Sequence, residues 1–402
     1  MSNLITGFLV SFFVTYVAMP VIIRIASIKK LVDVPDSRKI HKSPIPSLGG
    51  FGVFAGFILA LLVAVPSTAA AGLQYYVGAA FLLYLVGLKD DVVVITPLKK
   101  FMGQVTAAFI LINLADLRLV SMHGIFGIHQ LSYAVSLIVS YLGAILVINA
   151  FNLIDGVDGL AGTLGVVSSL IFGIYFYFAH DPLYAVMGLS LVGALGAFLL
   201  FNYTPAKIFM GDTGSMLVGL VNTILLFHFV RIADAPGAQV PVTSAPVIGL
   251  AILMVPLFDT IRVFTIRIFL HRRSPFSPDR NHIHHLLLDC GFSHPATTLT
   301  LVLYNLVLIV AAVAFRGAGN YFLLAGLVGA SLSFTALVAF FRQPRRPFTV
   351  MKKVGAAVAG QPADGALIEA SAVQRKVGSH HGQKGGVVVS AGMQPLFSME
   401  EE

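Results

Sequence analysis

Charged residues are scarce in this sequence of 402 residues, and their scarcity excludes most classes of protein. Only 11% of the residues are Asp, Glu, Lys or Arg and 57% are hydrophobic, whereas soluble domains are about one quarter charged. The mean hydropathy is +0.88. So few charges cannot cover the surface of even one soluble domain. The composition therefore predicts an all-α polytopic integral membrane protein.

Cysteine is almost absent as well. Cys290 is the only one, and a single thiol excludes both an internal disulfide and a Cys-rich metal site. The chain is nevertheless basic, with a net charge of +8 and a pI near 9.5. In a membrane protein, an excess of Lys and Arg more often reports orientation than binding to nucleic acid. We therefore expect contacts with membrane lipids and no nucleic-acid partner.

What the sequence does contain is a series of apolar runs that approach the length of about 20 residues needed to cross a membrane. We predict about eleven transmembrane helices, with ten as the alternative because two runs are short and one link is tight. The first run follows no basic stretch and has no cleavage signature, so we expect a retained span instead of a signal peptide. The runs cover residues 4–25, 49–66, 73–88, 101–116, 132–150, 161–179, 183–201, 213–232, 245–269, 298–315 and 320–341.

Lysine and arginine are distributed unequally between the links. Fifteen lie in or beside the links that follow odd-numbered spans, whereas only Arg118, Arg231 and Arg316 belong to the even-numbered links. The positive-inside rule places the odd-numbered links and the C-terminus in the cytoplasm and the N-terminus outside. Residues 1–342 are thus expected to form a transmembrane domain, and the polar residues 343–402 a disordered cytoplasmic tail.

Most polar residues outside the tail fall in the five odd-numbered links. The first, residues 32–50, combines basic residues with two aspartates, three prolines and a glycine pair; basic residues alone would indicate an anchor to anionic lipid. The second places Asp90 and Asp91 at the end of an apolar run, before Lys99 and Lys100. Adjacent aspartates point to different partners, one to a metal and one to a proton, although a solvated helix end is an alternative.

The third link, residues 149–162, carries the strongest local signal. Asn149, Asn152, Asp155 and Asp158 recur every three residues among three glycines. On a straight helix this spacing would spread the side chains over half the circumference. The glycines favour a helix that ends in a loop where the backbone approaches a ligand closely, because a structural cap would need only one such residue.

The fourth and fifth links add groups that suit phosphate. In residues 202–215, a Gly-Asp-Thr-Gly-Ser sequence opens a span, so Asp212 or Thr213 is either a helix cap or part of a phosphate and metal site at a helix N-terminus. In residues 271–285, histidines cluster beside Arg280. They fit hydrogen-bond donors to phosphate better than zinc ligands, because a third carboxylate or thiol ligand is lacking; no role is the remaining alternative.

Together these links hold carboxylates for a hard cation, basic groups for polyanions and glycine loops, all on one expected membrane face. That combination is typical of phosphoryl transfer, which depends on positioning and charge neutralisation. An ion-coupled transporter is the rival from another class, because polar groups in membranes often mark a transport pathway. Transporters usually keep their sites near the middle of the membrane, between repeated halves, and neither feature is visible here.

With these motifs in order, the sequence resembles the polyprenyl-phosphate N-acetylhexosamine-1-phosphate transferases, from about residue 32 to residue 285. It is most similar to the bacterial branch that transfers N-acetylglucosamine-1-phosphate to undecaprenyl phosphate. The resemblance implies a reaction of a UDP-N-acetylhexosamine with undecaprenyl phosphate that yields UMP, with Mg²⁺ or Mn²⁺ as cofactor. It also implies a homodimer in the bacterial cytoplasmic (inner) membrane, with the active site formed by the cytoplasmic links of the domain 1–342.

The resemblance also implies roles for individual residues. Asp90 matches a base for the lipid phosphate, although it can orient that group instead, and Lys100 matches a lysine near the diphosphate. Asn152 and Asp212 match the metal-holding positions. Catalytic roles are further expected for Asp91 and Asp155, and substrate binding for Phe209 and Asp158 at the uracil, and for Asn149, Arg280, His282, His284 and His285.

Two features bear on the choice within the family. The branch that uses UDP-MurNAc-pentapeptide usually ends its histidine motif with three adjacent histidines, whereas this chain has His-Ile-His-His at 282–285. That difference favours UDP-GlcNAc as donor, with UDP-GalNAc, UDP-QuiNAc, UDP-FucNAc and UDP-MurNAc-pentapeptide as alternatives. The tail after Arg346 carries none of the motifs.

Overall fold

The computed structural model describes residues 1–29, 31, 45–235, 237–275 and 280–342. The expectations for residues 32–44, within the first polar link, and for the tail at 343–402 lie outside this part of the chain. Within it, regular structure is helical and no β-strand forms; Ser121 and Gln130 make an isolated bridge. The predicted all-α class is therefore confirmed.

The described residues form thirteen α-helices. Two of them, α4 and α10, continue directly into a π-helical turn, at Ile110–Leu114 and Ile266–Leu270. The helices are α1 Ser2–Ile28, α2 Gly49–Ala64, α3 Leu73–Val92, α4 Pro97–Phe109, α5 Tyr133–Ile154, α6 Leu160–Phe178, α7 Pro182–Asn202, α8 Gly211–Ala233, α9 Ala245–Ile252, α10 Met254–Thr265, α11 Ile283–Asp289, α12 His294–Ala314 and α13 Asn320–Phe340.

Each predicted span coincides with one helix or with a helix pair. Seven helices are long and apolar enough to cross a membrane, and the bent pair formed by α9 and α10 raises that number to eight. Helices α2, α3 and α4 fall short of the same criteria, so the total of eleven spans stays a prediction. The short helix α11 was not predicted, because its seven residues lie inside the polar fifth link.

The ninth predicted span is broken instead of straight. Helices α9 and α10 meet at Leu253 with an angle of 83°. Pro256, in the first turn of α10, has no backbone N–H to continue the α9 ladder. The buried side chain of Asn305, in α12, makes the hydrogen bonds that are missing at the break. Its Nδ2 donates to the carbonyl of Ile252 at 3.0 Å, and its Oδ1 accepts from the N–H of Val255 at 3.0 Å.

Helix α8 lies at the centre of the bundle and α1 at its edge. In the apolar window of α8, 89% of the residues are buried, compared with 17% in α1. Close packing around α8 depends on glycine: a Cβ at Gly219 would lie 2.6 Å from Cα of Ile148 in α5, and one at Gly50 of α2 would lie 2.1 Å from the backbone N of Gly214. Small residues at such crossings let helix backbones approach closely.

The packing of the helices brings four polar links to one end of the bundle. Helices α3, α5 and α7 end there, and α4, α6 and α8 begin there, which accounts for the second, third and fourth links. The fifth link joins them, because the imidazole of His284 packs against Gly156 of the third link. The predicted polar site is thus assembled from parts of the chain that are far apart in sequence.

Candidate active site

The ammonium group of Lys100 lies at the centre of the polar cluster. Its Nζ is 2.6 Å from Oδ2 of Asp212, 3.1 Å from Oδ1 of Asn152 and 3.4 Å from Oδ2 of Asp90. The side chains of Lys100, Asp90 and Asp212 are 18%, 12% and 29% exposed, so water screens these charges only partly. The three partners come from the ends of α5, α8 and α3. The second, third and fourth links therefore converge on one cation.

Asn152 and Asp212 are held in fixed orientations. The Nδ2 of Asn152 donates to Oδ1 of Asp212 at 2.5 Å and to the hydroxyl of Ser215 at 2.9 Å. The Ser215 hydroxyl in turn donates to the carbonyl of Gly211 at 2.9 Å. Because Asn152 accepts from Lys100 and donates to Asp212, it fixes the distance between the ammonium and the carboxylate.

The two adjacent aspartates of α3 make different contacts, and their predicted metal and proton partners stay predictions. Asp90 faces Lys100 and also accepts from the backbone N–H of Ile95 at 2.9 Å. Asp91 instead accepts hydrogen bonds from Asp212 and Thr213, at the start of α8. Asp91 thus lies beside the cluster, and its predicted catalytic role stays untested.

Asp155 lies in the turn after α5 and is half-buried. None of the described residues gives its carboxylate a hydrogen bond or an ion pair. Burial raises the pKa of the Asp155 carboxyl to about 8, and the negative charges of neighbouring aspartates, above all Asp212, act in the same direction. A carboxylate without a partner beside other carboxylates is an arrangement that a cation would stabilise.

The third and fourth links are joined by buried side chains. Asp158 is 6% exposed; its Oδ2 accepts from the hydroxyl of Thr204 at 3.0 Å, and its Oδ1 lies 3.2 Å from Nδ1 of His294. Asn202 accepts from the N–H of Gly159 at 2.8 Å and donates to the carbonyl of Ile208 at 2.9 Å. The loop that carries Asp155 and Asp158 is therefore tied to the loop before α8.

Two of the expected substrate-binding residues lie at different depths in the site. Phe209 is half-buried and lies two residues before α8. Its backbone bonds to the chain around the start of α2: it accepts from the N–H of Gly49 at 2.9 Å and donates to the carbonyl of Pro46 at 2.8 Å. Asn149 lies one turn of α5 deeper than Asn152. Its amide pairs with that of Gln104, with Nδ2 to Oε1 at 2.8 Å, which makes Asn149 part of the floor of the site.

The histidines of the fifth link have different environments. His282 is buried between a carboxylate and a guanidinium, with Nδ1 at 2.8 Å from Oδ2 of Asp259 and Nε2 at 3.3 Å from Arg267. Asp259 also accepts from the backbone N–H of Ile283 at 2.9 Å. Arg280 is half-buried, and its charge acts on His284 and His285. Both ring nitrogens of His282 are therefore used to hold the loop in place.

His284 and His285 differ from His282 in that a ring nitrogen of each is not used in a hydrogen bond to the described residues. Their ring centroids lie 4.3 Å apart, and none of the described residues makes a hydrogen bond to the buried Nδ1 of either ring. Burial lowers the pKa of His284 well below its usual range and that of His285 to about 4, with the charge of Arg280 adding to the shift at His285. Both are thus neutral near pH 7, and a neutral imidazole can still donate a hydrogen bond to phosphate.

The donor set of the cluster fits a hard divalent cation. Asp212, Asn152 and Asp155 offer oxygen atoms, and the Lys100 ammonium already lies where positive charge is favoured. No three carboxylate, histidine or cysteine side chains within the described ranges converge closely enough to hold a metal by themselves. Mg²⁺ commonly binds through one or two carboxylates together with water and substrate phosphates, so the sparse ligand set is compatible with this metal.

Comparisons with known proteins identify the family. Residues 73–229 match glycosyl transferase family 4. The chain is 33% identical to the decaprenyl-phosphate N-acetylglucosaminephosphotransferase of Mycobacterium tuberculosis, over 77% of this chain and 80% of that protein. This chain belongs to the polyprenyl-phosphate N-acetylhexosamine-1-phosphate transferase family. It is a membrane-embedded glycosyl-1-phosphate transferase, as the motifs predicted.

Two further relatives cover most of the chain. The undecaprenyl-phosphate alpha-N-acetylglucosaminyl 1-phosphate transferase of Yersinia pestis is 34% identical over 73% of this chain and 78% of its own length. The probable undecaprenyl-phosphate N-acetylglucosaminyl 1-phosphate transferase of Bacillus subtilis is 30% identical over 79% of this chain and 86% of its own length. The family match at 73–229 includes the second, third and fourth polar links, where the cluster around Lys100 is built.

Several residues that hold this transferase's site were not singled out from the sequence. Asp259 lies inside an apolar run, and His294 follows the last motif, so neither stood out. Gln104 is a single polar residue inside the fourth predicted span, and Asn202 directly follows the seventh. Only Asn202, the first residue of the fourth link, carried a local signal, because an Asn at a helix end commonly bonds to nearby backbone.

Proposed function

We propose that this protein transfers N-acetylglucosamine-1-phosphate from UDP-GlcNAc to undecaprenyl phosphate, giving undecaprenyl-diphosphate-GlcNAc and UMP. A phosphate oxygen of the lipid attacks the β-phosphorus of UDP-GlcNAc and forms a new P–O bond. The bond from the β-phosphorus to the bridging oxygen breaks, and UMP leaves with the electron pair. The observation that carries the proposal is the convergence of Asp90, Asn152 and Asp212 on Lys100 at one end of a membrane bundle.

The acceptor and donor follow from the relatives together with the site. The relatives named above act, by their names, on undecaprenyl or decaprenyl phosphate and N-acetylglucosamine. A cluster at the end of the helices suits a lipid whose phosphate lies at the membrane surface, while a nucleotide arrives from water. The cytoplasmic face of the bacterial inner membrane meets both needs, with the N-terminus outside.

Positive charge in the site favours approach of the two anionic substrates. Lys100 donates to diphosphate oxygens, and the neutral His284 and His285 donate from the fifth link. Asp212 and Asn152, with Asp155 nearby, would hold Mg²⁺ or Mn²⁺. When bound, such a cation supplies charge neutralisation on the diphosphate.

Asp90 acts on the acceptor. The second pKa of a phosphate monoester is about 6, so much of the lipid phosphate is already a dianion at pH 7. A strong base is therefore not required. Asp90, held by Lys100 and the Ile95 N–H, orients the phosphate and accepts the proton of the fraction that is still a monoanion. At the other end of the donor, Phe209 lies beside the uracil and Asp158 supports the loop that contacts it.

A radiolabel assay tests the proposed reaction. Membranes containing the protein receive UDP-GlcNAc labelled in the sugar, and we expect label in a butanol-extractable lipid, with the reaction reversed by UMP. If label crosses sealed vesicles and never enters lipid, the protein is a transporter and the proposal is wrong. The same membranes carrying Lys100→Met are the control for background activity.

A further inference from the structure

Helix α8 begins without a cap of its own. Its N-cap residue is Met210, which has no side-chain oxygen, and no side-chain cap bond forms within the segment. Neither Asp212 nor Thr213 caps the helix, in contrast to one sequence-based alternative. The first N–H groups of any α-helix have no partner inside the helix, so α8 needs an acceptor from elsewhere.

Asp91 of α3 supplies that acceptor from another helix. Its Oδ1 accepts from the backbone N–H of Asp212 at 2.7 Å, and its Oδ2 accepts from the backbone N–H of Thr213 at 3.0 Å. The Thr213 hydroxyl donates to the same Oδ2 at 2.6 Å. Three hydrogen bonds thus join one carboxylate to the first turn of α8, and both of its oxygen atoms are engaged.

Glycines on both sides make this contact sterically possible. A Cβ at Gly211, which has φ of 70°, would lie 2.7 Å from both oxygens of Asp91. A Cβ at Gly87, one turn before Asp91, would lie 2.5 Å from Cα of Thr213. Any other residue at either position would push α3 away from the start of α8.

The capped turn carries the carboxylate at the centre of the site. Asp212 gives its N–H to Asp91 and directs its carboxylate to Lys100 and Asn152. We propose that Asp91 is a positioning residue: it caps α8 from α3, thereby fixes the Asp212 carboxylate where it holds the cation, and exchanges no proton with substrate. This inference rests on the proposed function only for the role of Asp212.

Hydrogen exchange tests the cap directly. In Asp91→Asn an NH₂ group replaces one acceptor, so amide exchange in the peptide covering residues 210–217 should become about fivefold faster or more, as for a lost helix cap. The matched variant is Asp90→Asn, which changes the neighbouring carboxylate and leaves the three bonds to α8 intact. In Asp90→Asn, the amide exchange rate of that peptide should equal the wild-type rate. Equal exchange in the wild type and Asp91→Asn would overturn the inference.

Cation affinity tests the link from Asp91 to Asp212. Loss of a group that orients a metal ligand typically weakens metal binding by about 10–100-fold. The measured quantity is the Mg²⁺ concentration that gives half of the maximal thermal stabilisation of the substrate-free protein. Asp91→Asn should raise this concentration by the same factor. An unchanged Mg²⁺ requirement with a strongly reduced kcat would contradict the inference and make Asp91 a catalytic residue. If Mg²⁺ does not stabilise the wild type at all, the cation proposal fails, while the exchange experiment still decides on the cap.

A double-mutant cycle separates positioning from chemistry. Thr213→Val removes one of the three bonds, and Thr213→Ser, which keeps the hydroxyl, is its control. If both residues act through one cap, the fold-loss of activity in the double variant, Asp91→Asn combined with Thr213→Val, will be smaller than the product of the fold-losses in the two single variants. Independent, multiplicative losses would contradict the inference.

Discussion

At the scale of the residue, the site contains few charged side chains, so each of them can be tested separately. Lys100 is the cation shared by Asp90, Asn152 and Asp212, and it is mostly shielded from water. Its neighbour Lys99 is exposed and makes no ion pair with any described residue. Two adjacent lysines therefore differ in environment, and a comparison between them isolates the contribution of the buried charge.

We expect Lys100→Met to lower kcat/KM by about 10²–10³-fold, the usual effect of removing one preorganised electrostatic group. Lys99→Met should stay within about twofold of the wild type, because an exposed charge contributes little. The measurement is the initial rate of UMP release by purified protein. Equal losses in the two variants would show that the general basic charge of the link matters and the ion cluster does not.

Asp90→Asn is expected to reduce turnover strongly while binding of UDP-GlcNAc persists. The reason is that the proposed function assigns Asp90 to the acceptor phosphate, whereas it assigns Asp212 and Asn152 to the cation. Calorimetric titration with UDP-GlcNAc, beside a rate assay, measures both quantities. A variant that no longer binds the nucleotide sugar would move Asp90 to the metal site.

At the scale of the element, residue types were predictable and their partners were not. The spacing of Asn149, Asn152, Asp155 and Asp158 indicated a helix that ends in a ligand-binding loop, and α5 does end at Ile154. The same pattern could not reveal that Asn149 pairs with Gln104 below the site, because that contact joins two different helices. The local sequence indicates helical periodicity and turns, whereas the hydrogen-bond partner of a side chain depends on how helices that are distant in sequence pack together.

The break between α9 and α10 depends on one side chain of α12. Asn305→Leu would leave the Ile252 carbonyl and the Val255 N–H without partners in a buried position. At 1–3 kcal/mol for each such group, we expect a loss of roughly 2–6 kcal/mol in stability. Thermal unfolding in detergent measures it, with Val307→Leu on the exposed side of α12 as control. An unchanged midpoint would mean that Asn305 does not maintain the break.

Helix α11 should make stability depend on pH. His285 has a pKa of about 4 in the folded protein and about 6.5 in an unfolded chain. Between these values the unfolded state binds more protons, so stability should decrease as pH falls from about 6.5 to 4. His285→Gln should weaken this decrease, and His271→Gln, which removes an exposed histidine, is the control. A thermal midpoint with the same pH dependence in His285→Gln as in the wild type would contradict the assignment.

At the scale of the whole molecule, composition predicted the class and the motifs predicted the family. The low charge indicated a helical membrane protein, and the helices lie where the apolar runs are. The bend near Leu253 was missed, because a run at 245–269 without charge in its first half reads as one span. Asp259, within that run, proved to hold His282 and the fifth link. Its partner lies 23 residues further along the chain, beyond the reach of periodicity.

The most direct test of the account is a panel of donors with the purified protein, undecaprenyl phosphate and Mg²⁺. The panel contains UDP-GlcNAc, UDP-GalNAc, UDP-QuiNAc, UDP-FucNAc and UDP-MurNAc-pentapeptide, and the readouts are the mass of the lipid product and the release of UMP. We predict undecaprenyl-diphosphate-GlcNAc from UDP-GlcNAc, formed in equal amount with UMP. Product from UDP-MurNAc-pentapeptide alone, or no lipid product from any donor, would contradict the account.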